Sequence, residues 1–317
     1  RLLPVACRLP PRFINMPVFS CRDAVSVFLG FNMGSALMGK YVQLTRPRIV
    51  AMVLFAVAAA AWTSGATPPA WQQLLTALVG TALITSGSIA MNQWYEQRSD
   101  ALMARTQGRP IPTGRVSSGR ALLFSVLISV AGLLYLAVWS NGRVALVAGV
   151  NWLFYAACYT PLKSRTAWQL PVGAVAGATP MLIGAAVAGA TWGAMSLALF
   201  GIVFCWQFPH AAAIAWIYRD QYSRAGLQVI AVADPTGRWP GALAVAGAAA
   251  LLPVSILPVV MQRAGSWFGA TALACGLVYL VLATRFCSQR TDSRARALLR
   301  ASFLYLPIVL AALWAGL

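Results

Sequence analysis

Residues 74–91, LLTALVGTALITSGSIAM, run straight into residues 92–110, NQWYEQRSDALMARTQGRP, and this junction sets the reading of the chain. The first block is an apolar run of membrane length; roughly 20 such residues cross a hydrocarbon core as a helix. The second block opens with Asn92, Glu96 and Asp100 at spacings of four, which on a helix stack on one face. Two carboxylates and an amide would then line one wall at the end of a membrane-long helix. The whole chain has only six acidic residues. Placing two of them one turn apart sets like charges side by side, which costs energy unless a cation, a metal first of all, lies between them.

Working outward, the composition is 60% hydrophobic and only 9% charged. Further apolar runs of similar length predict nine spans, near residues 48–63, 74–97, 120–139, 143–160, 169–190, 193–217, 239–261, 266–286 and 299–316. The short alternating strands of a membrane barrel are absent. The expected fold is all-α: a polytopic membrane helical bundle of nine transmembrane helices over residues 44–317, preceded by a tail, residues 1–43. That tail carries Arg1, Arg8, Arg12 and Arg22 among apolar residues and reads as a disordered or targeting segment, with residues 25–37 too short to span. The net charge of +18 could suggest nucleic acid, but its distribution argues against it. With the N-terminus cytoplasmic, every Lys and Arg of the 24 except Arg143 and Arg263 falls on the cytoplasmic side, as the positive-inside rule requires. All six acids fall there too. The basic segment 285–300, which carries Asp292, reads as a loop that anchors to anionic lipid. The six cysteines form no CxxC pair and indicate neither zinc nor a disulfide framework.

Beyond Asp100, Arg105 and Arg109 add guanidinium groups to the paired acids. A metal on two carboxylates beside Arg side chains is a diphosphate site in outline, because Arg holds phosphate oxygens through two parallel bonds. Lys163, in the loop after the fourth span, either reaches this pocket or only anchors its helix. His210, the single histidine, lies within an apolar run, where an ionisable residue marks a functional site or a hydrogen bond between helices. Tyr218, Asp220, Tyr222 and Arg224 form a second polar helix end on the same side as the first, although Asp220 and Arg224 could simply pair. Asp234, in Asp234-Pro235-Thr236-Gly237, reads as turn chemistry. The fifth span, rich in Gly and Ala, reads as a close-packing helix.

The blocks Asn92-x-x-x-Glu96-x-x-x-Asp100, Met103-x-Arg105-Thr106-x-x-Arg109-Pro110, Tyr159-Thr160-Pro161-Leu162-Lys163, Pro209-His210 and Asp220-x-Tyr222-x-x-Ala225-Gly226 resemble the UbiA superfamily of intramembrane prenyltransferases. Within it they resemble the heme O synthases, or protoheme IX farnesyltransferases. The resemblance implies magnesium held by Asn92, Glu96, Asp100 and Asp220, and a prenyl diphosphate bound by Arg105, Arg109 and Lys163. Arg224 and Tyr222 belong to the second motif, and His210 would orient or ligate heme. The implied reaction transfers a farnesyl group from farnesyl diphosphate to a vinyl group of heme b. The commoner superfamily motif has Asp where this chain has Gln93 and Glu96, and often a second Asp where it has Arg224, which puts a second magnesium ion in doubt. Other readings are a different aromatic or tetrapyrrole acceptor, or a membrane transporter or assembly scaffold. Gathering of the polar groups at one side favours a capped cavity over a conduit. The lipid bilayer is the implied surroundings, a bacterial inner membrane or else a mitochondrial one. Heme A synthase or terminal oxidase assembly factors are the implied partners, and nucleic acid is not.

Overall fold

The computed structural model describes residues 31–315, and the regular structure among them is helical throughout. The chain divides at Lys40 and Tyr41, and the bundle belongs to the second unit, Tyr41–Leu317. Helix α1 (Phe31–Thr45) covers the boundary drawn at residue 43. The four tail arginines, Cys7, Cys21 and the start of the segment 25–37 lie outside the described residues.

Nine of the described helices are long and apolar enough to cross a membrane. They are α2 (Pro47–Ser64), α3 (Trp71–Tyr95), α5 (Ser118–Trp139), α6 (Gly142–Leu162), α7 (Gln169–Val187), α8 (Ala194–Ile217), α11 (Arg238–Val260), α12 (Ser266–Ser288) and α13 (Asp292–Ala315). Short helices α4 (Gln97–Ala101), α9 (Arg219–Arg224) and α10 (Ile230–Ala233) lie between them. The predicted spans coincide with these except at the last, whose start moves from 299 back to Asp292. The predicted basic loop 285–300 is therefore mostly helix. Asp292 stands in the first turn of α13, where a negative charge complements the helix dipole.

The acidic stretch also departs from one unbroken helix face. Helix α3 stops at Tyr95, Glu96 leaves the helical region (φ −83°, ψ 4°), and α4 resumes at Gln97. One-turn spacing survives the break. The Glu96 N–H donates to Asn92 O (2.9 Å) and the Asp100 N–H to Glu96 O (2.8 Å).

Helix α7 packs against α2, α6 and α8 and is the most buried span. Its small residues permit this, as expected: a Cβ on Gly184 would lie 2.2 Å from the Val57 carbonyl oxygen of α2. Helix α3 pairs with α5, while α8 packs on α11 and α13 and α12 lies between those two in sequence and contact. Large apolar side chains such as Leu127, Leu134, Leu146 and Val278 face outward, as a lipid-facing surface requires. The loop 102–117 is fixed under the bundle by a small core of Leu44, Ala90, Ile111, Val116 and Ala121.

Helix α6 changes winding over Leu153–Tyr159, where it forms a π-helical turn. Pro161 supplies the cause: it has no N–H, and its ring crowds the carbonyl four residues earlier. The Thr160 N–H and Oγ1 both turn to the Tyr155 carbonyl instead.

Candidate active site

Asn92, Glu96 and Asp100 are all buried at the corner between α3 and α4, with Asp100 fully so. The Glu96 Oε1 accepts from Asn92 Nδ2 (2.9 Å) and from Lys163 Nζ (2.8 Å). Asn92 Nδ2 also donates to Thr160 Oγ1 (3.1 Å), so the end of α6 is tied to the acidic corner. Asp100 Oδ2 pairs with Arg109, while Asp100 Oδ1 is buried with no hydrogen-bond partner among the described residues. Each carboxylate is met by its own protein cation, Lys163 on Glu96 and Arg109 on Asp100. Of the two readings for Lys163, the one that reaches the pocket holds.

The electrostatics of the two acids diverge. Burial raises the Glu96 carboxyl, but Lys163 and the hydrogen bonds outweigh it and hold the group below its ordinary value. Burial raises Asp100 as well, and the neighbouring Glu96 charge adds to the rise; Arg109 does not cancel it. Burial alone would lower Lys163, yet the Glu96 carboxylate keeps its ammonium well above the ordinary value.

The second polar helix end meets this corner through Arg105. Its guanidinium donates to Tyr222 Oη (3.1 Å) and lies 4.9 Å from the Tyr218 ring centroid, and its backbone N–H donates to Gln221 Oε1 (3.3 Å). The Gln228 N–H bonds the Lys163 carbonyl (2.7 Å), closing a clasp between the two halves. Asp220 is 78% exposed and only 4.0 Å from Arg219, which is itself turned to Asp292 (2.8 Å). Arg224 is exposed. Among the described residues no three His, Cys, Asp or Glu side chains lie close enough to hold a metal, so Asp220 does not join Glu96 and Asp100. Asp234 caps α11 as turn chemistry implies, accepting from the backbone N–H of Thr236 and Trp239.

A cavity of about 260 Å³ lies between α6, α7, α8 and α9 and adjoins this corner through Lys163. Lys163 and Tyr222 lie at its polar end, Tyr155 and Tyr159 on one wall, and Gln207 and His210 on another. The structure therefore brings Lys163, Tyr222 and His210 to one space. His210 stacks on Trp206 (4.8 Å between centroids) and its Nδ1 meets Ser302 Oγ at 2.8 Å. Leu170 lines both this cavity and a larger apolar pocket of about 1030 Å³ bounded by Trp168, Phe208 and Trp239.

Residues 52–306 match the UbiA prenyltransferase family. A protoheme IX farnesyltransferase of Solibacter usitatus is 40% identical over 281 residues, covering 86% of this chain and 96% of its own. The chain belongs to the UbiA family, in its protoheme IX farnesyltransferase branch. Two solved structures share the fold at low identity. A digeranylgeranylglyceryl phosphate synthase gives a TM-score of 0.73 at 14% identity, covering 88% of this chain and 98% of that one. A UbiA homolog from Archaeoglobus fulgidus bound to DMAPP and Mg2+ gives 0.62 at 19% identity, covering 87% and 99%.

In this UbiA-family prenyltransferase the structure adds residues that the sequence reading passed over. Arg46 is half-buried ahead of Pro47 in a left-handed conformation (φ 50°). Burial, and after it the charge of Arg109, depress its guanidinium below the ordinary value, with Arg105 and Asp100 also in range. It is a third guanidinium at the acidic corner. Its place in a basic run ahead of the first span made it indistinguishable from a lipid anchor. Tyr155 lies in an apolar span that gives no sign of a site, and Thr160 stands in a motif without a role of its own until it meets Asn92.

Proposed function

We propose that this protein transfers a farnesyl group from farnesyl diphosphate to a vinyl group of heme b, giving heme O and diphosphate. The observation that carries this reading is the paired-acid, Arg-rich corner joined through the Lys163–Glu96 ion pair to a cavity lined by Lys163, the two tyrosines and His210. The farnesyltransferase named for the Solibacter usitatus relative supports the donor and acceptor.

The donor set suits a hard divalent cation. Asp100 offers a buried, unpartnered carboxylate oxygen, and magnesium commonly takes one or two carboxylates and completes its shell with substrate phosphates. Asn92, Glu96 and Asp100 would hold it, with Asp220 drawn in only if α9 moves, and it would act as a Lewis acid on the leaving diphosphate. The Archaeoglobus fulgidus homolog with Mg2+ supports such a metal. Lys163 and Arg109, freed from their carboxylates, would bind phosphate oxygens together with Arg46 and Arg105, and Tyr222 would steady Arg105; Arg224 could join from the rim. The allylic C–O bond breaks with its electron pair leaving on diphosphate. The heme vinyl π electrons form the new C–C bond, and water adds to the resulting cation with loss of a proton. Tyr155 and Tyr159 line the cavity, where their π systems would stabilise the developing charge. The apolar walls keep water from the farnesyl cation before the vinyl group reaches it. His210 would orient the porphyrin. Leu170 lines both spaces, so an acceptor held at His210 would extend past it into the larger pocket.

The basic end of the bundle would face the cytoplasm of a bacterial cell, with the nine spans in its inner membrane. The test is direct. Purified protein with heme b, farnesyl diphosphate and magnesium should yield a porphyrin heavier by the hydroxyethylfarnesyl group, seen by mass spectrometry. Chelator should abolish it. Prenylation of an aromatic acid in place of heme would move the chain to another acceptor.

A further inference from the structure

His210 is held by more than its stacking on Trp206. Ser302, on α13, meets the pair twice: its carbonyl accepts the Trp206 indole N–H (2.9 Å), and its hydroxyl meets His210 Nδ1 (2.8 Å). The same hydroxyl lies 2.6 Å from the Leu299 carbonyl oxygen. Two oxygens that close repel unless a proton lies between them, and the carbonyl has none to give. The Ser302 proton therefore points at Leu299, which leaves Oγ toward His210 as an acceptor. Tyr279 Oη, the other hydroxyl at this wall, donates to the Trp206 carbonyl (3.2 Å). The ring nitrogen facing Ser302 must then carry the hydrogen. In the neutral imidazole an Nδ1–H places the free lone pair on Nε2. His210 lines the cavity, and no described residue hydrogen-bonds its Nε2.

We infer that Ser302 is a positioning residue that fixes the Nδ1–H tautomer of His210 and so presents Nε2 to the cavity as a ligand for the iron of a metalloporphyrin acceptor. The inference rests on the heme reading above and adds to it the residue that aims the base. A hydrogen bond on the far nitrogen of a ligating imidazole fixes both tautomer and ring orientation, and its loss typically costs roughly 10–100-fold in metal affinity. The arrangement also explains why a serine is placed where an apolar residue would pack as well: its side chain is fully buried against α8.

The experiment is titration of the purified full chain with ferric heme b and, separately, with metal-free protoporphyrin IX, followed by absorption and electron paramagnetic resonance. Wild type should give a histidine-ligated heme spectrum. Ser302→Ala should weaken heme binding roughly tenfold or more and lose that spectrum. Its affinity for the metal-free porphyrin should stay unchanged, because no iron is present to ligate. Ser302→Thr, which keeps the hydroxyl, should restore the spectrum, and His210→Ala should lack it. An equal loss for both porphyrins in Ser302→Ala would mean a merely structural role and overturn the inference. So would an unchanged heme spectrum, and in that case the farnesyltransferase reading would stand. Wild type that binds neither porphyrin while prenylating another acceptor would overturn both.

Discussion

Glu96 and Asp100 stand one turn apart and respond to the bundle in opposite directions. Lys163 holds Glu96 below the ordinary carboxylate value, while burial beside Glu96 raises Asp100. The consequences for stability differ in sign. The depressed folded value of Glu96 stabilises the fold above 4.5 and loses that contribution only as pH falls through the folded value. The raised value of Lys163 gives a contribution fully present below 10.5 and lost only at still higher pH. The pair thus holds across the physiological range. Asp100 behaves otherwise: ionising it costs the fold, so its contribution worsens as pH rises through its raised value. A carboxylate that the fold charges for has a use in its ionised form. Activity should therefore fall on the acid side with a midpoint above 3.8, read from kcat/KM against pH. Asp100→Asn should lower turnover by roughly 10²–10³-fold at neutral pH while the protein still inserts and elutes as wild type. Wild-type turnover in that variant would remove Asp100 from the site.

At the scale of elements, the π-helical turn of α6 decides where Lys163 points. A helix residue advances about 100° around the axis. Restoring α winding over Leu153–Tyr159 at the same residue count, by Pro161→Ala, should therefore swing Lys163 off Glu96. Turnover should drop at least tenfold, and more than in Lys163→Arg, while the helix content by circular dichroism stays the same; retention of full activity would show that the widened turn has no part in the site. This turn also marks how far the sequence could be read. The spans were legible because apolar length is a property of composition, and the paired acids because charge is so scarce in this chain. The sequence leaves Lys163 between two roles because nothing in it signals a change of winding except Pro161, which can equally begin or end a helix. The break at Glu96 and the earlier start of α13 escaped for a related reason. Both depend on how backbone groups and charges are satisfied at the bundle's end, and hydropathy is blind to that. Asp220 shows the converse: its motif was legible, yet its side chain faces outward while Arg105 reaches Tyr222 beside it.

Over the whole molecule, the charge asymmetry assigns the loops to two ends. Single cysteines in a cysteine-free background at Gln107 and Ser223 should label together with a membrane-impermeant maleimide from the cytoplasmic side. Thr67 and Ser266 should label only from the opposite side. Labelling of all four from one side would overturn the nine-span topology. At the end away from the acids, Arg263 donates to the carbonyls of Thr63 and Gly65, tying the turn before α12 to the end of α2 and using one of the two arginines that break the charge rule. At the acidic end, the clasp of Arg105 on Tyr218 and Tyr222 and of Lys163 on Gln228 draws the two halves together on the water side. In the proposed reaction this gives the two products separate exits. Diphosphate, being charged, would leave past the clasp into water, whereas the farnesylated porphyrin, being apolar, would leave into lipid. Once they have gone, reversal would require two molecules to return from different phases to one cavity, so partition of the products would slow the back reaction.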